Sequence, residues 1–329
     1  MFFSLRVLLL SAAGEGLLEA QLVSLLRAAG LEGEWSVRGV LGGGRNFCNE
    51  VLEVHVGESQ KRLALKTYSD FSKARVPAAE RGAWDQAAGE AGLGPRVLAR
   101  SSDALLSEYV PGRPLRRGED DALRVAAPLR KLHGLSQPKQ GSSCALWRSI
   151  DTALSGAAPE TAQRLFGASL AALRLQADTM RAAVEAALGP PDVRFGHGDL
   201  KPSNVLVSDD DRLLFLDFEL AGPNYGLYDV AKLFRDDSDA ILADRVLAFL
   251  RRYDAVSSEE ASLANVALLT PVSWFEAAVF FLHVASQDED PEWADLARDR
   301  FAHFRATAHH LSTSERESSR TRPPRRRRP

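Results

Sequence analysis

Apolar positions in the first part of the chain change their period. Leu17, Leu18, Leu22, Leu25 and Leu26 recur at helical spacing, and Gly30 stops the pattern, so a helix is expected over Glu15–Ala29. Three short β-rich runs follow at Trp35–Val40, Val51–Val56 and Leu63–Tyr68, separated by turn residues. A helix is expected from Pro77 to Ala91, with proline at its start and Gly92 at its end. Pro95–Leu98 and Ala104–Tyr109 read as two further strands. Beyond Pro111-Gly112-Arg113-Pro114 the chain turns helical: one helix ends near His133-Gly134, and a long Ala- and Leu-rich pattern runs from Ala157 to Leu188. Short β-like runs at Val193–Gly196, Val205–Val207 and Leu213–Leu216 interrupt it, and helical spacing resumes from Tyr228 to His310. The pattern predicts a small sheet followed by a larger, mainly helical region.

Composition narrows the class. Of 329 residues, 45% are hydrophobic and 26% charged, as in folded globular chains. Two cysteines, Cys48 and Cys144, exclude a disulfide scaffold and read as free thiols in a reducing compartment. A cytoplasmic location is therefore expected. No apolar run reads as a bilayer span. The opening MFFSLRVLLLSAA lacks a positively charged leader, and Arg6 interrupts it, so it reads as a first strand or helix turn. Residues 311–329 hold seven Arg and two Glu. At an overall net charge of −3 the rest of the chain is −8, which argues against a nucleic-acid-binding core. The Arg- and Pro-rich tail cannot build a core and is expected to be disordered and solvated. A contact with an anionic surface and homodimer formation are left open.

The chemistry concentrates in His197-Gly198-Asp199-Leu200-Lys201-Pro202-Ser203-Asn204, followed thirteen residues after Asn204 by Asp217-Phe218-Glu219. A loop between short strands can aim Asp199 at an incoming hydroxyl and the Asn204 amide oxygen at a metal. Asp217, at a neighbouring strand end, supplies a carboxylate to the same metal. Mg²⁺ prefers a few such hard oxygen ligands, with phosphate and water completing its shell. Phosphoryl transfer needs positioning and charge neutralisation more than covalent help. Lys201 either touches the transferred phosphate or is solvated. The absence of Gly-x-x-x-x-Gly-Lys-Ser/Thr excludes a P-loop NTPase.

These two motifs, in this order, resemble the choline/ethanolamine kinase and aminoglycoside phosphotransferase group of the protein-kinase-like superfamily. The resemblance extends over roughly residues 34–310 and includes Asn224-Tyr225 followed by Tyr228-Asp229. It implies an α+β, two-lobed fold: a small N-terminal antiparallel sheet lobe (1–110, with 1–33 a leading helical segment) and a larger, mainly helical C-terminal lobe (111–310). ATP would lie in the cleft. By this likeness Asp199 is the catalytic base, and Asn204 and Asp217 are the Mg²⁺ ligands. Lys66 is the phosphate-binding lysine and Glu80, preferred over Glu90, its partner on the following helix. Gly43, Gly44 and Asn46 would approach the phosphates, and backbone groups near Glu108 and Val110 would face adenine. His133 is expected to be structural.

A protein kinase fits less well. Gly198 replaces the Arg of His-Arg-Asp, Glu219 stands where Gly follows Asp-Phe, and no Ala-Pro-Glu follows. A small amino-alcohol is the expected substrate. Choline and ethanolamine kinases usually show His-Asn-Asp, whereas this chain has His-Gly-Asp. Trp274-Phe275-Glu276-Ala277 keeps one tryptophan of a cation cage, and Ala277 stands where the second is expected. Trp274, Glu276 and Glu219 are the candidate substrate contacts, and ethanolamine is favoured, feeding phospholipid head-group synthesis. Choline, an aminoglycoside or another small alcohol are the alternatives. A non-catalytic pseudokinase is the competing class, although every main catalytic position is occupied.

Overall fold

The computed structural model describes residues 12–41, 49–58, 61–116, 121–136, 143–236, 239–253 and 259–311. Gly43, Gly44, Asn46, Cys48 and the Arg-rich tail lie outside the described residues. The chain divides into two compact units. One comprises the described residues up to Arg116 together with Ser203–Glu219; the other comprises Arg117–Pro202 and the described residues from Leu220 onward. The segment Ser203–Glu219 thus belongs with the sheet, although it is remote from it in sequence.

The first unit opens with helix α1 (Ala12–Ala28). Five antiparallel strands follow: β1 (Trp35–Val40), β2 (Asn49–Val56), β3 (Lys61–Tyr68), β4 (Val97–Arg100) and β5 (Ala104–Glu108), ordered β1-β2-β3-β5-β4. Alternation along β2 and β3 sends Leu52, Val54, Val56, Leu63 and Leu65 to one side. There they pack with Leu22, Leu25 and Leu26 of α1 and with Ala99, Ala104 and Leu106. Two helices lie between β3 and β4: α2 (Asp70–Arg75) and α3 (Ala83–Glu90). The expected helix from Pro77 is shorter than its pattern. Residues 77–82 form turns, and Gly82, at φ 69°, starts α3. A Cβ at Gly82 would also lie 2.8 Å from the Leu105 side chain, so this left-handed turn suits glycine. Strands β6 (Gly112–Pro114), β8 (Val205–Ser208) and β9 (Leu213–Phe215) form a second antiparallel sheet of the same unit, ordered β6-β8-β9.

The second unit is helical: α4 (Ala126–His133), α5 (Ala145–Gly156), α6 (Pro159–Phe166), α7 (Leu170–Leu188), α8 (Gly226–Phe234), α9 (Asp239–Tyr253), α10 (Glu259–Ala285) and α11 (Pro291–Thr307). The continuous pattern over Ala157–Leu188 is two helices. Gly167 ends α6 in the left-handed region, and the Ser169 hydroxyl caps α7 by accepting from Ala172 N. A two-stranded pairing of β7 (Val193–Gly196) with β10 (Gly222–Asn224) flanks the helices. Contrary to the sequence expectation, α10 is long and apolar enough to cross a membrane by length and composition. Its apolar window is 83% buried within the protein, which is where a core helix places such residues.

Candidate active site

Lys66 sits on β3 with only 9% of its surface exposed. A buried ammonium must be compensated, and here two carboxylates do so. Lys66 Nζ is 2.8 Å from Asp217 Oδ1 and 3.0 Å from Glu219 Oε1. Burial works to lower the lysine, but Asp217, Glu219 and the more distant Asp85 hold it well above its ordinary range. The tight turn after β9 aims the acids. Asp217 adopts φ 67°, a left-handed conformation that Asp tolerates better than most residues. Phe218–Leu220 then make one 3-10 turn. The Glu219 Oε2 accepts from the buried Ser72 hydroxyl at 2.8 Å. Burial pushes the Glu219 carboxyl up to about 7, with Lys66 opposing and the Asp217 charge reinforcing.

The partner expected for Lys66 is not the one found. Glu80 lies in the turns before α3, with one carboxylate oxygen buried and without a hydrogen-bond partner. The acid of α3 whose charge acts on Lys66 is Asp85, in its first turn. A helix beginning six residues later than expected puts a different acid on the facing turn. Glu219, expected at the substrate, instead serves Lys66 beside Asp217. Ser72 was not foreseen; its only signal in the sequence is the short Ser69-x-x-Ser72 cap, in which Ser69 Oγ accepts from Ser72 N.

Asn204 is buried and ends a 3-10 turn, and its carbonyl accepts the Leu216 N–H at 2.9 Å. That bond couples the Asn204 turn to the residue preceding Asp217. Phe215 N donates to Leu93 O, so the exit of α3 braces the same strand. No cluster of three His, Cys, Asp or Glu able to hold a metal occurs among the described residues. Asn204 and Asp217, with Glu219 alongside, provide the sparse set of hard oxygens that suits Mg²⁺ shared with phosphates. Further along the unit, the Glu108 backbone N–H donates to Arg96 O and its carboxylate pairs with the Arg96 guanidinium. Val110 is half-buried in the link between β5 and β6.

The second unit positions Asp199. Asp229, fully buried on α8, accepts from His197 N at 2.7 Å, Gly198 N at 2.8 Å and His133 Nε2 at 2.8 Å. Burial would raise this carboxyl, but the His133 hydrogen bond and charge, with His197, hold it below the usual range. The His133 Nδ1 in turn contacts the Tyr253 hydroxyl. Gly198 has φ 81°, and a Cβ there would lie 2.1 Å from Leu220 O. The His-Gly-Asp loop therefore requires glycine, a physical reason for the departure from His-Asn-Asp.

Asp199 faces two cations. Oδ2 is 3.0 Å from Lys201 Nζ, and Oδ1 is 3.0 Å from Lys232 Nζ. Burial raises the carboxyl, yet Lys201, Lys232 and Arg235 together hold it far below the carboxylate range. Lys232 is 2% exposed and also donates to Glu276 Oε2 at 2.9 Å, while Glu276 Oε1 accepts from Ser149 at 2.6 Å. Lys232 went unnoticed in the sequence because a lysine in Ala231-Lys232-Leu233-Phe234 looks like any exposed helical lysine. Trp274, a candidate substrate contact, is 1% exposed. His303 stacks on it at 4.5 Å, and the Arg235 and Arg300 guanidiniums lie 4.3 and 5.4 Å from its ring centre. It is a core residue of α10. Glu276 likewise serves the interior.

Comparison with known proteins bears on the family and the fold. Residues 48–266 match the model of the phosphotransferase enzyme family. Among solved structures, an ethanolamine kinase from Plasmodium vivax is similar at TM-score 0.68 and 15% identity, covering 83% of this chain and 84% of that one. A choline kinase from Streptococcus pneumoniae is similar at TM-score 0.68 and 17% identity, covering 92% of this chain and 100% of the other. A choline/ethanolamine kinase family protein from Mesorhizobium loti is similar at TM-score 0.63 and 20% identity, covering 92% and 99%. No curated protein matches the chain. The expected two-part α+β kinase-like fold is the fold observed, and with two thirds of its length matched by the family model the chain belongs to the phosphotransferase enzyme family.

Proposed function

We propose that this protein transfers the γ-phosphoryl group of ATP to a hydroxyl of a small molecule, with Mg²⁺ as cofactor. The observation that carries the reading is the buried Lys66 ammonium held between Asp217 and Glu219 at the ends of β3 and β9. Lys66 would bind and orient phosphate oxygens. Asn204 and Asp217 would hold the metal, which when bound supplies positive charge to the phosphates. Glu219 and Ser72 keep Lys66 and Asp217 in place.

Asp199 would accept a hydrogen bond from the acceptor hydroxyl and take its proton. A carboxylate held so acidic is a weak base. It suits a loose transition state, in which the nucleophile keeps its proton until late and orientation matters more than basicity. Asp229 fixes the loop that carries Asp199 through its two backbone bonds. For the acceptor, the solved neighbours named as ethanolamine and choline kinases support a small alcohol, while the sequence's preference for ethanolamine rested on Trp274 and Glu276, which are buried.

The test is ADP release from ATP and Mg²⁺ over a panel of small alcohols, with Asp199→Asn as control. Turnover with at least one acceptor is expected to fall on the order of a thousandfold in the variant. Equal turnover in both proteins would overturn the mechanism. ATP binding without turnover on any acceptor would favour the pseudokinase reading.

A further inference from the structure

In the helical unit, Asp199, Glu276 and Trp274, the candidates for recognising a substrate ammonium, are already engaged by cations of the chain itself. Glu276, 3% exposed, gives one carboxylate oxygen to Lys232 and the other to Ser149. Asp199 gives one oxygen to Lys232 and the other to Lys201. The Lys232 ammonium also lies 5.7 Å from the Tyr228 ring centre. Two carboxylates and an aromatic ring around one ammonium form the environment that would bind an amino-alcohol head. The chain fills it from within. Trp274, the other candidate, meets Arg235 and Arg300. Lys201, Lys232 and Arg235 all act on Asp199, and Lys232 also bonds Glu276. The Tyr228 hydroxyl, buried without a hydrogen-bond partner, adds an uncharged polar group to the same cluster.

Resting on the phosphoryl-transfer reading above, we propose that Lys232 is a specificity-determining residue that stands where a substrate ammonium would bind, so that the acceptor is a neutral or acidic hydroxy compound rather than an amino-alcohol. A hydroxyl presented to Asp199 brings its neighbouring atoms close to Lys232. A second cation there meets like charge in a site with little water, whereas a hydroxyl or carboxylate does not. The discrimination expected from such a juxtaposition is on the order of a hundredfold.

The experiment uses the full chain with ATP and Mg²⁺ and acceptors matched in size but not in charge. Ethanolamine is compared with ethylene glycol and glycolate, and choline with its uncharged tert-butyl analogue. A wider set of polyols, sugars and hydroxy acids completes the panel, each read as kcat/KM for ADP release. The best ammonium-free acceptor is expected to exceed every ammonium-bearing one by on the order of a hundredfold. Lys232→Arg keeps the charge and should keep the preference. Lys232→Met frees Asp199 and Glu276 and should narrow the gap by about tenfold or more. Preference for ethanolamine or choline over their matched partners in the wild-type protein would overturn the proposal, whether or not the variants fold. An unchanged preference in a folded Lys232→Met protein would also overturn it. If no acceptor of either kind gives release that Asp199→Asn abolishes, the phosphoryl-transfer reading itself fails, and this proposal with it.

Discussion

Asp229 offers a graded test of how the Asp199 loop is held. Its carboxylate is fully buried and accepts three hydrogen bonds: Oδ2 from His197 N and His133 Nε2, and Oδ1 from Gly198 N. Asp229→Ala removes both acceptor oxygens, and with them all three hydrogen bonds, and leaves two buried backbone N–H groups unpaired at about 1–3 kcal/mol each. A total of roughly 3–5 kcal/mol is expected, in line with the loss of one partner from a buried charged network. Asp229→Asn keeps the shape but turns one oxygen into a donor. Whichever way the amide faces, at least one N–H meets another donor, so about 1–3 kcal/mol is expected. In thermal unfolding of a chain this long these losses correspond to shifts of about 6 °C for Ala and about 3 °C for Asn. Acceptor-dependent turnover should fall in the same order, because the loop that presents Asp199 loses its anchor. An Asp229→Ala protein melting within a degree or so of wild type, with unchanged turnover, would refute this account of the loop.

Four further outcomes follow from the same structure. Gly198→Ala puts a Cβ 2.1 Å from Leu220 O in a left-handed backbone, so the loop must move and turnover should drop on the order of a hundredfold while ATP binding persists. Lys66→Met should lower turnover by about a hundredfold to a thousandfold in steady-state assays and weaken ATP binding by calorimetry, because it removes the charge placed for the phosphates. Glu219 is raised from its ordinary 4.5 to about 7, so between those values the folded protein holds a proton that the unfolded chain has lost. Stability of the nucleotide-free protein should therefore fall as pH rises through that window, and Glu219→Gln should flatten the fall in denaturant titrations. Asp229 titrates the opposite way: its depressed carboxyl contributes fully above 3.8 and is lost as pH drops below, so Asp229→Asn should be less sensitive to acid than wild type.

The local elements were largely legible. Trp35–Val40 and Val193–Gly196 occur as expected, because a period of two bounded by turn residues leaves few alternatives to a strand. The helix over 77–91 was not, because proline and alanine at its start suit a helix locally. What delays its start is Gly82, whose left-handed backbone at φ 69° lies outside the helical region. The candidate base and the candidate metal ligands were visible as well, since Asp199, Asn204 and Asp217 stand at motif spacings that chemistry recognises.

Their partners were hidden. Lys66 was matched to Glu80 on sequence order, but pairing depends on which helical turn faces the strand, and the structure gives Lys66 to Asp217, Glu219 and, electrostatically, Asp85. Trp274 and Glu276 read as substrate contacts because an aromatic beside an acid suits a cation. Burial turns both inward, onto Arg235, Arg300 and Lys232. The sequence by itself therefore determined most element types and the fold class, and it named the candidate carboxylates, all of which depend on short-range pattern and spacing. Tertiary structure decided which charge neutralises which, because buried charges take the partners that packing brings near them, and for Lys232 those lie 33 and 44 positions away along the chain.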